Sequence, residues 1–436
     1  MKTTEFKSEL LRERYLRIDH PGGLSVYVFP KKMSGTYALL STAYGSIDNA
    51  FCIHGEHVEV PDGIAHFLEH KLFENEDGSD SFGRFSALGA DANAYTSYQR
   101  TAYLFSCTGN FEAALEELIT FVTHPYFTEA SVKKEQGIIA EEIRMYEDHP
   151  WDRAQRNLLC AMYHANPVRK NICGSYASIQ RITPELLYRC HEVFYHPSNL
   201  TLVVCGDVTP EQVMAVVERA LPPSTPAPLP ERILPQEPPT VAKREIRCFM
   251  QVAKPLFYIG VKDPVIPATP AERLRRDAAL TLLDEILFSR SGPFYNELFE
   301  EGLITPAFYG GYSSTDRFAY HCISGEADDP HLVLERFWSY LARMQREGID
   351  PMTFERCRRA LYADEICAYD STEEIANRLI SFVQDGSEMF SYPALLQSIT
   401  KEELEEYLRT VFREEYVSLS AVYPLEQKNE EVMTNA

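Results

Sequence analysis

His66, Glu69 and His70 stand in the run His66-Phe-Leu-Glu69-His70, within a stretch from Pro61 to Phe73 that starts with turn residues and continues with helix-compatible ones. On a helix, positions i, i+3 and i+4 share one face, so two imidazoles and a carboxylate point the same way. Two imidazoles one turn apart can close on a single Zn²⁺, and a neighbouring carboxylate can take a proton from water that the metal acidifies. Asp62 precedes the run and reads as the helix N-cap. The ordinary alternative is a half-exposed helix with two hydrogen-bonded histidines. A third ligand decides between them.

A hydrolytic zinc takes three protein ligands and keeps one position open. The acidic segment from Glu135 to Glu147 is the place to look. Glu135 and Glu142 are seven residues apart and lie on one helical face, whereas Glu141 points about 100° away from Glu142. Spacing alone leaves the choice between Glu141 and Glu142 open, and a solvated acidic helix face is the plain alternative.

Several elements must position these groups. Residues 24–30 alternate as a strand, with a hairpin-like return at 36–44 and a loop at 45–60. Residues 79–88 extend a second short helix, and 92–97 and 101–107 read as two strands joined by a polar turn. Helical spacing recurs over 112–122, 128–146 (capped by Thr128), 152–163, 184–194 and 210–221, with an apolar strand at 200–205.

Eight prolines then fall between Pro222 and Pro239, a composition that suits neither a packed helix nor a central strand. The expected organisation is an N-terminal lobe at 1–221, a Pro-rich linker at 222–243, a C-terminal lobe at 244–426 and a polar tail at 427–436. Beyond the linker the order of elements repeats. Thr101-Ala-Tyr-Leu-Phe-Ser is echoed by Phe318-Ala-Tyr-His-Cys-Ile, and Ile139-Ala-Glu-Glu-Ile143 by Tyr362-Ala-Asp-Glu-Ile366. The fold class expected is α+β: two homologous α/β lobes, each a mixed, mostly antiparallel sheet with helices packed on one face. At the repeat offset, Thr281 and Glu285 stand where His66 and His70 stand, so the second half carries no metal motif.

A formal charge of −22 argues against nucleic acid or an anionic membrane as partner. The ten cysteines form no Cys-x-x-Cys pair, which reads as buried free thiols in a reducing compartment. No apolar leader or membrane span is apparent, so the expected location is the cytoplasm.

The order His-x-x-Glu-His, with a glutamate some seventy residues on, resembles the pitrilysin/insulinase family of inverted-zincin zinc metallopeptidases. Tyr44-Gly-Ser-Ile-Asp-Asn49, the stretch from Val60 to Glu74, and Phe194-Tyr-His-Pro-Ser-Asn199 bring it closest to the small bacterial YmfH-like members. The resemblance implies His66, His70 and Glu142 as the ligands of one zinc per chain, Glu69 as general base, and Glu135 as the acid that steadies the site. It further implies a clamshell of two lobes enclosing short or unfolded peptides. A substrate strand would be held at Asn93, Ala94 and Thr96.

One departure stands out. Catalytic members place Arg and Tyr around a Gly-Leu turn of the second half, where this chain has Leu298 and Thr305. Tyr295, Tyr309 or Tyr312, or a partner chain, would have to replace them. The expectation is therefore a zinc endopeptidase, alone, as a homodimer, or in a heterodimer with a paralogue lacking the zinc motif. The alternatives are a low-activity or non-catalytic subunit of such an assembly, and a dedicated peptide-maturation protease.

Overall fold

The apolar runs that read as strands become the middles of two sheets. A computed structural model describes residues 1–426, and the polar tail expected at 427–436 lies outside the described residues. In chain order the strands are β1 (Lys2–Ser8), β2 (Glu13–Asp19), β3 (Ser25–Pro30), β4 (Thr36–Thr42), β5 (Ala50–Ile53), β6 (Glu56–Glu59), β7 (Ala90–Thr96) and β8 (Thr101–Cys107). They continue with β9 (Leu200–Gly206), β10 (Glu231–Arg232), β11 (Glu245–Met250), β12 (Leu256–Lys262), β13 (Ile304–Ser314), β14 (Ala319–Ala327) and β15 (Val417–Pro424).

The chain divides into two units. The first holds Met1–Arg144, Lys170–Leu234 and Ile366–Phe390; the second holds Met145–Arg169, Pro235–Glu365 and the chain from Ser391. Its parting lies within the Pro-rich stretch, yet residues 145–169 and 366–390 each belong to the unit built mainly from the other half.

The first unit has a sheet in the order β1-β2-β3-β9-β4-β8-β7 and a small one in the order β10-β5-β6; the second has β11-β15-β12-β14-β13. Every neighbouring pair is antiparallel except β3 with β9 and β11 with β15. The run β3-β9-β4-β8-β7 is therefore repeated strand for strand by β11-β15-β12-β14-β13, with its parallel pair in the same place. The repeated residues of the sequence are the trace of this repeated topology, an α+β fold of two homologous lobes.

Helices cover the main face of each sheet. Helix Thr372–Gln384 lies on the other face of the first sheet, where Tyr15, Phe29, Leu39 and Val203 meet Ile375, Leu379 and Ile380. Helix Pro150–Met162 does the same in the second unit, and Ala154 packs with Leu256 and Val422. Strands covered on both faces need apolar residues at every position, which is why β4 is buried throughout and β9 nearly so.

Three local expectations change. β3 and β4 are no hairpin, because β9 lies between them, parallel to β3. The loop at 45–60 contains the β5–β6 hairpin, and β1 and β2 add two strands to a charged segment that carried no strand expectation. The Pro-rich stretch is docked at both ends. Arg232 Nε donates to Asp48 Oδ1 at 2.9 Å in the first unit. In the second, Glu237 accepts three backbone N–H groups, from His164, Ala165 and Asn166, at 2.7–2.8 Å.

Candidate metal centre

The helix Ile64–Leu72 buries Ile64, Ala65, Phe67, Leu68 and Leu72 in the core and leaves its opposite side to His66, Glu69 and His70. Asp62 is not its cap: the N-cap is Gly63, and the Asp62 carboxylate takes Asn49 Nδ2 at 2.7 Å and Lys170 Nζ at 2.8 Å. Gly63 is required twice over. Its φ of +91° is left-handed, and a Cβ there would lie 2.4 Å from the Cys173 carbonyl oxygen. Gly174, at φ +81°, reciprocates: its Cβ would stand 2.4 Å from the Asp62 oxygen. The two glycines let residues 171–175 lie directly against the start of the histidine helix.

The helix Glu129–Asp148, opened by reciprocal bonds between Thr128 and Ser131, buries Val132, Glu135, Gln136, Ile139, Ala140 and Ile143. That face carries Glu142 to the histidines. Glu142 Oε1 is 3.5 Å from His66 Nε2, and Oε2 is 3.6 Å from His70 Nε2. Glu141, left open by spacing, points outward with its side chain 71% exposed and pairs with Arg144.

The donor atoms of His66, His70 and Glu142 all lie within 4.8 Å of one another. The two carboxylate–imidazole separations exceed the roughly 2.7–3.2 Å of a formed N–H···O bond. They match the spacing of about 3.4 Å that follows for donors roughly 2.0–2.2 Å from one tetrahedral zinc. Two imidazoles and a carboxylate are also a donor set that zinc takes. The residues present fit the metal.

Glu135 is placed as a supporting acid would be: it is buried, and its Oε1 lies 3.0 Å from His70 Nδ1. That bond directs Nε2 of the same ring toward Glu142. Burial lowers the His70 pKa, but the Glu135 hydrogen bond and the charges of Glu135, Glu142 and Glu69 outweigh it, and the net shift is upward. His66 lacks such support, since its buried Nδ1 has no hydrogen-bond partner among the described residues.

Glu69 Oε2 accepts the Thr96 hydroxyl at 2.5 Å. Thr96, expected to hold substrate, is thus hydrogen-bonded to Glu69. Asn93 and Ala94 line a cavity of about 530 Å³ together with Glu69, His70 and Lys134.

Cys173, which belongs to no metal-binding motif in the sequence, also stands at the site. Its buried thiol lies 3.8 Å from both His66 Nε2 and Glu142 Oε1. Burial, with help from Glu142 and Glu69, pushes the thiol's pKa up. The close Gly63–Gly174 approach brings its segment there, and no local pattern signals such an approach.

Of the tyrosines considered for the second unit, Tyr295 is buried and stacks on Phe299, and Tyr312 donates to Asp263 Oδ2 at 2.7 Å. Leu298 is in the core, and the Thr305 hydroxyl is bonded to Glu326 at 2.9 Å. Tyr309 is the exposed one, at 61%.

Residues 52–175 match the family profile described as Insulinase (Peptidase family M16), and residues 181–361 match Peptidase M16 inactive domain. The uncharacterized zinc protease YmfH of Bacillus subtilis is 39% identical over 421 residues, spanning 95% of this chain and 98% of YmfH. The crystal structure of an M16-like peptidase from Alicyclobacillus acidocaldarius superposes with a TM-score of 0.90 at 37% identity, covering 94% of this chain and 97% of that one. The periplasmic protease PqqL of Escherichia coli shares the fold at a TM-score of 0.73 and 18% identity; 96% of this chain aligns with 48% of PqqL. Over nearly its whole length, then, this chain belongs to peptidase family M16, the insulinase family.

Proposed function

We propose that the chain is a zinc-dependent endopeptidase acting on short or unfolded peptides. The observation that carries the reading is the convergence of His66 Nε2, His70 Nε2 and the Glu142 carboxylate at 3.5–3.6 Å, beside a cavity that Glu69 also lines. His66, His70 and Glu142 would hold the metal. When bound, zinc supplies Lewis-acid polarisation and acidifies water. Thr96 holds one oxygen of Glu69, and the other takes a proton from water and passes it to the leaving amine. Asn93 and Ala94, on the edge strand β7, suit an extended backbone added to that edge.

The test is zinc content together with peptide cleavage by wild type and Glu69→Gln. Zinc stays at one per chain in both, while cleavage falls by about 10²–10⁴-fold, the usual worth of a general base. Hydrolysis that survives the change would remove Glu69 from the mechanism.

A second reading rests on Leu298, Thr305, Tyr295 and Tyr312 all being engaged within the second unit. A partner chain, either a paralogue without the zinc motif or a second copy, then completes the site, and the chain alone turns over slowly. Activity titrated against added paralogue separates this from a self-sufficient enzyme.

A further inference from the structure

Cys173 is held at the metal centre by anchors on both sides of it. Asn171 Oδ1 accepts the Cys173 N–H at 3.0 Å, and the Asn171 carbonyl accepts the Gly174 N–H at 2.9 Å, so the three residues form a tight turn. Beyond it, Ser178 Oγ donates to the Asp62 carbonyl at 2.8 Å and ties the segment to the start of the histidine helix. The Cys173 side chain is thereby delivered inward, 3% exposed, with its sulfur 3.8 Å from both His66 Nε2 and Glu142 Oε1.

His66 points to the same place. Its ring is 7% exposed, and its Nδ1 has no hydrogen-bond partner among the described residues. Its Nε2 faces Glu142 Oε1 at 3.5 Å and the Cys173 sulfur at 3.8 Å. The first separation exceeds a formed N–H···O bond, and a buried imidazole without a short bond is costly unless a cation takes its lone pair.

The spacing suits a sulfur ligand. A sulfur roughly 2.3 Å from zinc and a nitrogen or oxygen roughly 2.0–2.2 Å from it stand about 3.0–3.9 Å apart, for angles of about 90–120°. Both 3.8 Å distances fall in that range. Cys173 does not belong to the group of donors that all lie within 4.8 Å of one another, so its sulfur comes in at the edge between His66 and Glu142, away from His70. The cavity of about 530 Å³ has Glu69 and His70 in its lining, and neither His66 nor Cys173. A sulfur ligand therefore leaves the cavity side to water.

We propose that Cys173 is a fourth protein ligand of the metal, binding as a thiolate whose proton leaves as the cation enters. The inference rests on the proposed role of His66, His70 and Glu142 as metal ligands. Catalytic zinc can expand to five-coordination, so a sulfur on the closed side and a water on the cavity side are compatible. Thiolate favours zinc, whereas carboxylate and water suit manganese and magnesium equally well, so Cys173 sets which metal the site keeps.

The full-length chain, stripped of metal with a chelator and reloaded with Co²⁺, reads the ligand directly. A cobalt–thiolate bond adds a strong charge-transfer absorption in the near ultraviolet that nitrogen and oxygen ligands do not give. Wild type shows that band at one cobalt per chain, and Cys173→Ala and Cys173→Ser lose it. In competition with a chelator, zinc binds Cys173→Ala about tenfold or more weakly, while manganese affinity changes by less than about twofold. Loss of the band with cobalt still at one per chain, or with cobalt weakened at an unchanged melting temperature, supports the ligand. One cobalt per wild-type chain without the band, a band equal in wild type and Cys173→Ala, or equal weakening of zinc and manganese overturns it and leaves the His66–His70–Glu142 centre standing. A wild-type chain that takes up neither zinc nor cobalt removes that centre and the inference together.

Discussion

The two units run the same strand order, yet they use the same helix position in opposite ways. In the first, helix Ile64–Leu72 turns His66 and His70 toward Glu142 and leaves them spaced to hold something between them. In the second, the matching helix, Pro270–Phe288, carries Thr281, Asp284 and Glu285. Asp284, at the place of Glu69, is fully buried and accepts His321 Nδ1 from β14 at 2.7 Å. Burial raises the Asp284 carboxyl's pKa, and His321 pulls it partly back. One unit holds a buried His66 and a partly exposed His70 and Glu142 at 3.5–3.6 Å, beyond a formed hydrogen bond; the other closes its polar groups on themselves inside its core. A duplicated fold thus fixes where a helix can present side chains, and the side chains decide whether that place is a site or a seam.

The largest expected effect tests the contrast itself. His66→Ala or Glu142→Ala removes a donor from the triad and lowers zinc affinity by more than the roughly 10–100-fold assigned to outer partners. Thr281→Ala and Glu285→Ala leave zinc at one per chain. Metal analysis of the four variants reads both halves of the prediction, and zinc lost from the second pair would break the comparison.

The legibility of the molecule follows the same division. The i, i+4 histidines and the i, i+7 glutamates obey local periods, so the sequence alone could put each set on one face. It could not choose Glu142 over Glu141 from spacing; the exposure of Glu141 and the burial around Ile139 and Ile143 make that choice in three dimensions. Longer-range events were invisible. β9 enters between β3 and β4 from more than 150 residues away. Helix Thr372–Gln384 has an ordinary amphipathic sequence, and nothing in it says that its apolar face belongs on the first sheet. Cys173 reaches the histidines where two glycines from separate loops come into contact. Thr96 could be placed near the site, but its bond to Glu69 required the register of β7 with β8.

The next effect is on stability and belongs to the second unit. Asp284→Ala leaves the Nδ1 of His321 buried without its acceptor and costs about 3 kcal/mol. Urea unfolding measures it, with zinc content as the control that should not move. A neutral result would mean that the buried pair contributes nothing net and that the two units differ less than their geometry suggests.

Smaller still is the support behind the metal ligands. Glu135→Gln keeps the size of the side chain but loses the charge that holds His70 Nδ1, and zinc affinity falls about 10–100-fold. Glu141→Gln, one residue from Glu142 but turned outward, leaves affinity unchanged. Competition with a chelator resolves the two, and equal losses would show a general charge effect in place of a directed hydrogen bond.

The smallest effect compares buried histidines. His321 has a carboxylate, whereas His191 in the first unit has only the Val122 carbonyl, at 2.8 Å from its Nε2. Burial, the dominant cause, brings the His191 pKa down from 6.5 to about 4. A histidine with a lowered folded pKa stays neutral while the unfolded chain takes up a proton. Stability is therefore fully present above pH 6.5 and is lost as pH falls from there toward 4. Between pH 7.5 and 5.5 this one group removes about 1.4 kcal/mol. His191→Gln keeps a donor for Val122 but does not titrate, so its stability relative to wild type should improve by that amount over the same interval. Unfolding curves at the two pH values give the difference directly, and parallel acid losses in both proteins would assign the sensitivity to another group.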